Sequence, residues 1–253
     1  MSDLHPFLQH RGPIAFAHRG GTSVYPENSE RAFRHAVDLG FSYIETDVQV
    51  TRDGVAVIMH DNRLDRTTDS TGDIAELSWA EVSRARINGT EPILRVSELL
   101  EAFPTTFVNF DPKRDGAVEP LARAILEADA LDRVLIGAFS DRRIDHARAL
   151  LGDGLAVGAG SRRVMALVLR ANRIPVPLER VNAAQVPVRM GRIEIVTQRF
   201  VQQAHEVGIH VHVWGVDDPT EMHRLLDLGV DGLMTDEPEV LRSVFEERGI
   251  WNA

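Results

Sequence analysis

The chain has 253 residues, 43% hydrophobic and 26% charged, enough to bury a full core as one α/β barrel or two small domains. A formal net charge of −10 argues against nucleic acid or an anionic membrane surface as the main partner. With no cysteine, disulfides and thiolate metal sites are excluded, so any bound metal must use oxygen or imidazole ligands.

No apolar run is long enough to span a bilayer, so no stable membrane insertion is expected. Met1–His10 shows no basic segment followed by an apolar one, and the expectation is a cytoplasmic protein without a signal peptide. Residues 13–18 form an apolar run ending in His18-Arg19 and two glycines, read as a buried strand whose polar end opens into a loop. Asn28 suits a helix N-cap, and Ala32, Phe33, Ala36, Val37 and Leu39 recur at helical spacing until Gly40. Residues 42–61 then read as two extended runs joined at Arg52-Asp53-Gly54, a hairpin signal. Setting Val50 opposite Val55 puts Glu45 opposite His60, so that Glu45, Asp47 and His60 converge on one patch. Two carboxylates so close repel unless a cation or a shared proton lies between them.

Residues 62–95 hold Thr, Asp and Arg clusters with scattered apolar positions such as Leu77, Trp79 and Ile93, and read as an insertion lying over the body of the protein. Alternation then resumes. Helices are expected at 96–103, 117–128, 141–151, 161–171, 197–207, 219–228 and from Pro238 onward. Strands are expected at 106–111, 134–139, 155–158, 180–185, 210–214 and 230–236. With the runs at 13–18 and 42–48 this makes eight strands alternating with helices, the pattern of a TIM (β/α)8 barrel in one domain over residues 1–253, with the hairpin and an insertion at about 61–95 after strand 2.

That architecture gathers His18, Glu45, Asp47, Asp111 and Trp214 at strand C-terminal ends on one face. Glu45, Asp47 and Asp111 offer an all-oxygen site for one hard divalent ion, Mg²⁺ or Ca²⁺. His18 and His60 suit proton transfer near neutrality, and Arg19 and Lys113 would neutralise an anion beside the ion. The alternative for Lys113 is a salt bridge to Asp111, and Trp214 suits either plain core or the wall of an alcohol pocket. Metal, cations and two proton-transfer groups fit phosphoester cleavage better than hydride transfer or acyl chemistry. His210 and His212 read as barrel filling.

Residues 17–21 (Ala-His-Arg-Gly-Gly) with Pro26-Glu27-Asn28 resemble the opening motif of the glycerophosphodiester phosphodiesterase family. Residues 45–54 followed by His60-Asp61 are similar to its second motif, and residues 211–214 and 229–238 resemble its closing ones. The resemblance runs from about residue 14 to 241 and implies a TIM barrel with a small insertion after the hairpin, His18 and His60 as the acid–base pair, and Glu45 and Asp47 as metal ligands. It departs from the family at Asn109-Phe110-Asp111-Pro112-Lys113, where the usual third carboxylate is a glutamate, and at Gly215, where a threonine often follows the tryptophan. The shorter Asp111 is expected to change which ion binds. The implied reaction is hydrolysis of a small-molecule glycerophosphodiester to glycerol 3-phosphate and an alcohol through a cyclic phosphate. The alternatives are a lysophospholipase D on the same barrel, or a non-catalytic barrel that binds phosphate esters.

Overall fold

The computed structural model describes residues 4–251. Met1, Ser2 and Asp3, part of the stretch read above for a signal peptide, lie outside the described residues, as do Asn252 and Ala253. In chain order come β1 (Ile14–His18), α1 (Glu30–Asp38), β2 (Tyr43–Val50) and the short return arm β3 (Ala56–Ile58). The insertion carries α2 (Trp79–Val82) and the two-residue strands β4 (Arg86–Ile87) and β5 (Glu91–Pro92). Then follow α3 (Val96–Ala102), β6 (Phe107–Pro112), α4 (Val118–Glu127), β7 (Val134–Ile136), α5 (Asp141–Leu151), β8 (Ala156–Val157), α6 (Ser161–Ala171) and β9 (Ala183–Pro187). A small ladder of β10 (Arg189–Met190) and β11 (Ile193–Glu194) precedes α7 (Gln198–Glu206), β12 (His210–Trp214), α8 (Pro219–Asp227), β13 (Gly232–Thr235) and α9 (Pro238–Glu247).

Eight of these strands pair in parallel in the order β8-β7-β6-β2-β1-β13-β12-β9. The two ends meet through a single bridge, Gly158 to Ala183, with Asn182 N–H donating to Val157 O at 2.9 Å and Ala159 N–H to Ala183 O at 2.7 Å. The result is the nearly closed TIM barrel expected from the alternation. Helices α5 and α6 and strand β12 begin and end where the periodicity places them. The strand read at 180–185 instead starts at Ala183, because Asn182 spends both its backbone N–H and its side-chain Oδ1 on Val157 at the closure. The run read at 134–139 stops at Ile136, and Phe139 turns out into solvent.

Apolar residues fill both the shell between barrel and helices and the lower half of the barrel itself. Ile14, Phe16, Tyr43, Leu135, Ala156, Ala183 and Met234 form the inner plug. The N-terminal turn Pro6–Leu8 seals it: Phe7 packs edge-on against Tyr43 at 5.2 Å and Phe107 at 5.8 Å, and the Tyr43 hydroxyl donates to Phe7 O at 2.9 Å. Burying Phe7 contributes roughly 1.5–3 kcal/mol. With that end closed and apolar, the polar strand ends are left at the other. The insertion has its own small core, in which Leu64, Ile74, Val82, Ala85, Ile87 and Ile93 pack on Val57 and Met59 of the hairpin.

The hairpin register differs from the expectation. Gly54 N–H donates to Thr51 O and Thr51 N–H to Val55 O, both at 3.0 Å, so Arg52-Asp53-Gly54 form a three-residue loop with Gly54 at φ +79°. Thr51 therefore faces Val55, Val50 pairs with Ala56 and Val48 with Ile58. Val50 is not opposite Val55, and His60 lies in a bend beyond β3 instead of in the ladder opposite Glu45. A one-residue slip reverses the faces of a strand; with its backbone outside β3, His60 is not oriented by that ladder.

Candidate active site

The site is built on three neighbouring strands. His18 at the end of β1 is register partner to Glu45 on β2, and Asp47 on β2 is register partner to Asp111 on β6. Glu45 and Asp47, two apart, share a face of β2. They are 6% and 1% exposed, so their charges are almost wholly removed from water. His18 Nε2 approaches Glu45 Oε2 at 3.6 Å, and its Nδ1 lies 2.8 Å from Asp236 Oδ1, just after β13.

The loop after β1 wraps over these carboxylates. Arg19 takes a left-handed backbone, φ +53°, its N–H donating to Glu45 O at 2.9 Å. Its side chain then reaches Asp47 Oδ2 at 3.0 Å and Glu27 Oε1 at 3.1 Å. The close approach depends on Gly20 and Gly21: a Cβ on Gly20 would lie 2.8 Å from Phe33 N, and one on Gly21 2.7 Å from the Pro238 ring. Asn28 is not the N-cap of α1. Ser29 is, its Oγ accepting from Ala32 N–H at 3.2 Å, while Asn28 sits at φ +60° and donates from Nδ2 to Asp47 Oδ2 at 3.0 Å. Thr46 Oγ1 donates back to Asn28 Oδ1 at 2.7 Å. Asn28 is thus a site residue that capping statistics misassign.

Lys113 Nζ stands between two carboxylates, 2.7 Å from Asp47 Oδ1 and 2.6 Å from Asp111 Oδ2. Burial and the neighbouring Asp47 push the Glu45 carboxyl up to about 7. Burial alone would raise Asp47 too, but Lys113 and Arg19 more than offset it and hold Asp47 below the usual range. Burial raises Asp111, with Lys113 opposing. For His18, burial favours the neutral ring, and Glu45 with Asp236 outweighs it, so its pKa is raised.

His60 Nδ1 lies 2.6 Å from Asp61 Oδ1, and the His60 carbonyl accepts from Gln49 Nε2 at 2.9 Å. Trp214 at the end of β12 meets Phe139 edge-on at 6.1 Å, and Phe139 is 64% exposed. The expectation singled out neither Phe139 nor Asp236 as a site residue. Asp236 carried a signal, a carboxylate at the C-terminal end of the strand expected at 230–236; Phe139 carried none, being read as strand. His212 is fully buried beside Phe16, and burial drops its pKa to about 3, as suits barrel filling.

Among the described residues no three His, Asp or Glu side chains stand ready as a metal cage. The donor set nevertheless fits a hard cation. Glu45 Oε2 is buried and accepts no hydrogen bond, Asp47 and Asp111 face the same Lys113, and the ligand atoms are all oxygen. A buried carboxylate without a donor calls for a proton or a cation.

The sequence matches the Glycerophosphoryl diester phosphodiesterase family over residues 18–240. It is 42% identical over 252 residues to the Mycobacterium tuberculosis protein named "Probable glycerophosphodiester phosphodiesterase 2", covering 97% of this chain and 96% of that one. It is 29% identical to a glycerophosphodiester phosphodiesterase of Caldanaerobacter subterraneus, covering 93% and 99%. The fold matches that of an Oleispira antarctica phosphodiesterase solved with the product sn-glycerol-3-phosphate, with a TM-score of 0.76 at 22% identity over 93% of this chain and 97% of that one.

Proposed function

The chain belongs to the glycerophosphoryl diester phosphodiesterase family, and from that premise we propose that it hydrolyses glycerophosphodiesters to glycerol 3-phosphate and an alcohol by histidine acid–base catalysis. The observation that carries this reading is the pair of carboxylate-held imidazoles, His18 on Asp236 beside the buried Glu45, and His60 on Asp61. Each carboxylate accepts from Nδ1–H, which leaves Nε2 to exchange a proton with the substrate.

Glu45, Asp47 and Asp111 would hold one divalent cation, Mg²⁺ or Ca²⁺, which when bound supplies positive charge to the phosphoryl oxygens. Arg19 and Lys113 add positive charge beside the phosphate, held in place by Asp47. One histidine takes the proton of the glycerol hydroxyl next to the ester, and that oxygen attacks phosphorus. The other histidine protonates the departing alcohol. A five-membered cyclic phosphate results, and water opens it with the histidine roles exchanged. Trp214 and Phe139 would line the side of the mouth that takes the alcohol. No helix among the described residues is long and apolar enough to cross a membrane, and a cytoplasmic setting is part of this proposal.

The test is hydrolysis of glycerophosphocholine with Mg²⁺, Mn²⁺ or Ca²⁺ and with excess chelator. Release of glycerol 3-phosphate and choline that depends on the cation is expected. Choline phosphate as the product, or equal rates in chelator, would overturn it.

A further inference from the structure

Arg66 belongs to the insertion, not to the barrel, yet its guanidinium is committed to the site. Nε and Nη2 donate to the two oxygens of Asp61 at 2.5 and 3.1 Å, while Nη1 and Nη2 donate to the two oxygens of Glu27 at 2.9 and 2.7 Å. Asp61 is the carboxylate that takes His60 Nδ1, and Glu27 is the one that takes Arg19. An unbroken run of alternating charges therefore links Asp47, Arg19, Glu27, Arg66 and Asp61, and it ends on the His60 imidazole. From this geometry we infer that Arg66 is a positioning residue for His60, acting through Asp61 and tying the insertion to the reaction.

Two features exclude simpler roles. Arg66 faces two carboxylates with four donated bonds, so it has neither the spare charge nor the free fork needed to hold a phosphate. A bare surface ion pair contributes little, because solvent screens it and side-chain entropy opposes it. This pair is different, because the turn that carries Arg66 is fixed. Leu64 is buried in the insertion's core, and Thr68 Oγ1 donates to Leu64 O at 2.8 Å while bridging to Ile87. The need for such a clamp is local. Asp61 is the residue next to His60, on a bend, and without a second partner its carboxylate rotates away and frees the imidazole to flip. The hydrogen bonds from Arg66 are also the main reason the Asp61 carboxyl is lowered to about 2.

The inference rests on the proposed hydrolysis for its kinetic readout, and a spectroscopic arm reads it without turnover. Arg66→Ala, checked for wild-type thermal unfolding, is expected to lower kcat for glycerophosphocholine about tenfold or more, with KM within about threefold, the pattern of lost orientation instead of lost binding. Arg66→Lys should recover only part of this, since a point charge cannot fork two carboxylates. If Arg66→Ala does not fold, Arg66→Gln takes its place, because one amide cannot serve both carboxylates. Combining the Arg66 variant with Asp61→Asn should cost no more than Asp61→Asn alone. In ¹⁵N spectra of the imidazoles, His60 should carry its neutral-state proton on Nδ1 in the wild type and on a mixture of nitrogens in the variant. A kcat within twofold of wild type, losses that multiply in the double variant, or an unchanged His60 tautomer would each overturn the assignment. Wild-type protein that left glycerophosphocholine intact would instead sink the proposed activity, and the tautomer would still decide the role of Arg66.

Discussion

His18 and Asp236 stand 218 positions apart in the chain and 2.8 Å apart in space, imidazole Nδ1 to carboxylate Oδ1. The contact exists because β1 and β13 are neighbours in the barrel, with Ala17 in register with Thr235, so that the residues following the pair meet at the mouth. Asp236 is itself fixed, its N–H donating to Asp217 Oδ1 at 2.8 Å.

Asp236→Asn should therefore lower kcat by about 10²-fold, the lower end of what general acid–base catalysis supplies, with little change in KM. An amide can donate to Nδ1 and hold the wrong tautomer. The pH profile adds a signed check. Burial lowers the His18 pKa, while Glu45 and Asp236 raise it above its ordinary value. Removing the Asp236 charge must shift the limb of the kcat/KM profile that His18 controls to lower pH. An unmoved limb would show that Asp236 does not act through His18.

Glu45 and Asp47 carry a separate expectation. With the Glu45 carboxyl raised to about 7 by burial and by Asp47, proton and cation compete for one group. The thermal stabilisation given by Mg²⁺ or Ca²⁺ should grow from about pH 6 to about pH 8 as the proton leaves, reaching about 2.7 kcal/mol at a hundredfold excess over Kd. Glu45→Gln with Asp47→Asn should remove both that stabilisation and turnover. Differential scanning fluorimetry against cation and pH reads the first. A shift that persisted in the double variant would place the cation elsewhere.

Most of the barrel was legible because its signals are periodic. Helix α5 buries Ile144, Ala147 and Leu151 at helical spacing and strand β12 is a short β-branched run buried at its centre, and strand-end chemistry marked His18, Glu45 and Asp47. What was not legible depends on turn geometry and tertiary contact. The hairpin register turns on whether the loop holds three residues (52–54) or four (51–54), and residue types alone allow both. Asn28 looked like a cap because Asn and Ser are equally good N-caps, and only the buried Asp47 makes Asn28 more useful as a donor. Arg66 sat among several arginines and aspartates of the insertion with nothing local to distinguish it.

His212 predicts the acid limb of stability. Burial lowers its pKa from 6.5 to about 3, with His210 contributing, and neither ring nitrogen has a hydrogen-bond partner among the described residues. A folded pKa below the unfolded one means the group favours folding above pH 6.5 and loses that contribution as pH falls toward about 3. Between pH 7 and pH 5 this one residue should cost about 2 kcal/mol of stability. His212→Gln removes the titration, so urea unfolding at the two pH values should show a smaller difference in the variant. Equal differences in both proteins would mean that His212 is protonated without unfolding.

The last prediction concerns the nucleophile. A glycerophosphodiester carries a hydroxyl one carbon from its esterified oxygen, and intramolecular attack by a well-placed group gains an effective molarity on the order of 10⁵ M or more. The strand ends and the loops around them present carboxylates, two imidazoles, Arg19 and Lys113, and among the described residues the side-chain partners of the two histidines are carboxylates, not serine or threonine hydroxyls. Both histidines hold Nδ1 against a carboxylate, the arrangement each needs to act once as base and once as acid in a two-step displacement. The 2-deoxy analogue of glycerophosphocholine, which lacks only that hydroxyl, should bind with a similar KM and be cleaved at least about 10²-fold more slowly. His18→Ala and His60→Ala should each lower kcat on the natural diester by about 10²-fold or more, and neither should slow the deoxy compound by as much. Phosphorus NMR of the early reaction should show a transient five-membered cyclic phosphate. Equal turnover of the deoxy analogue would mean that water attacks the diester directly, and the histidines would then serve a single-step hydrolysis.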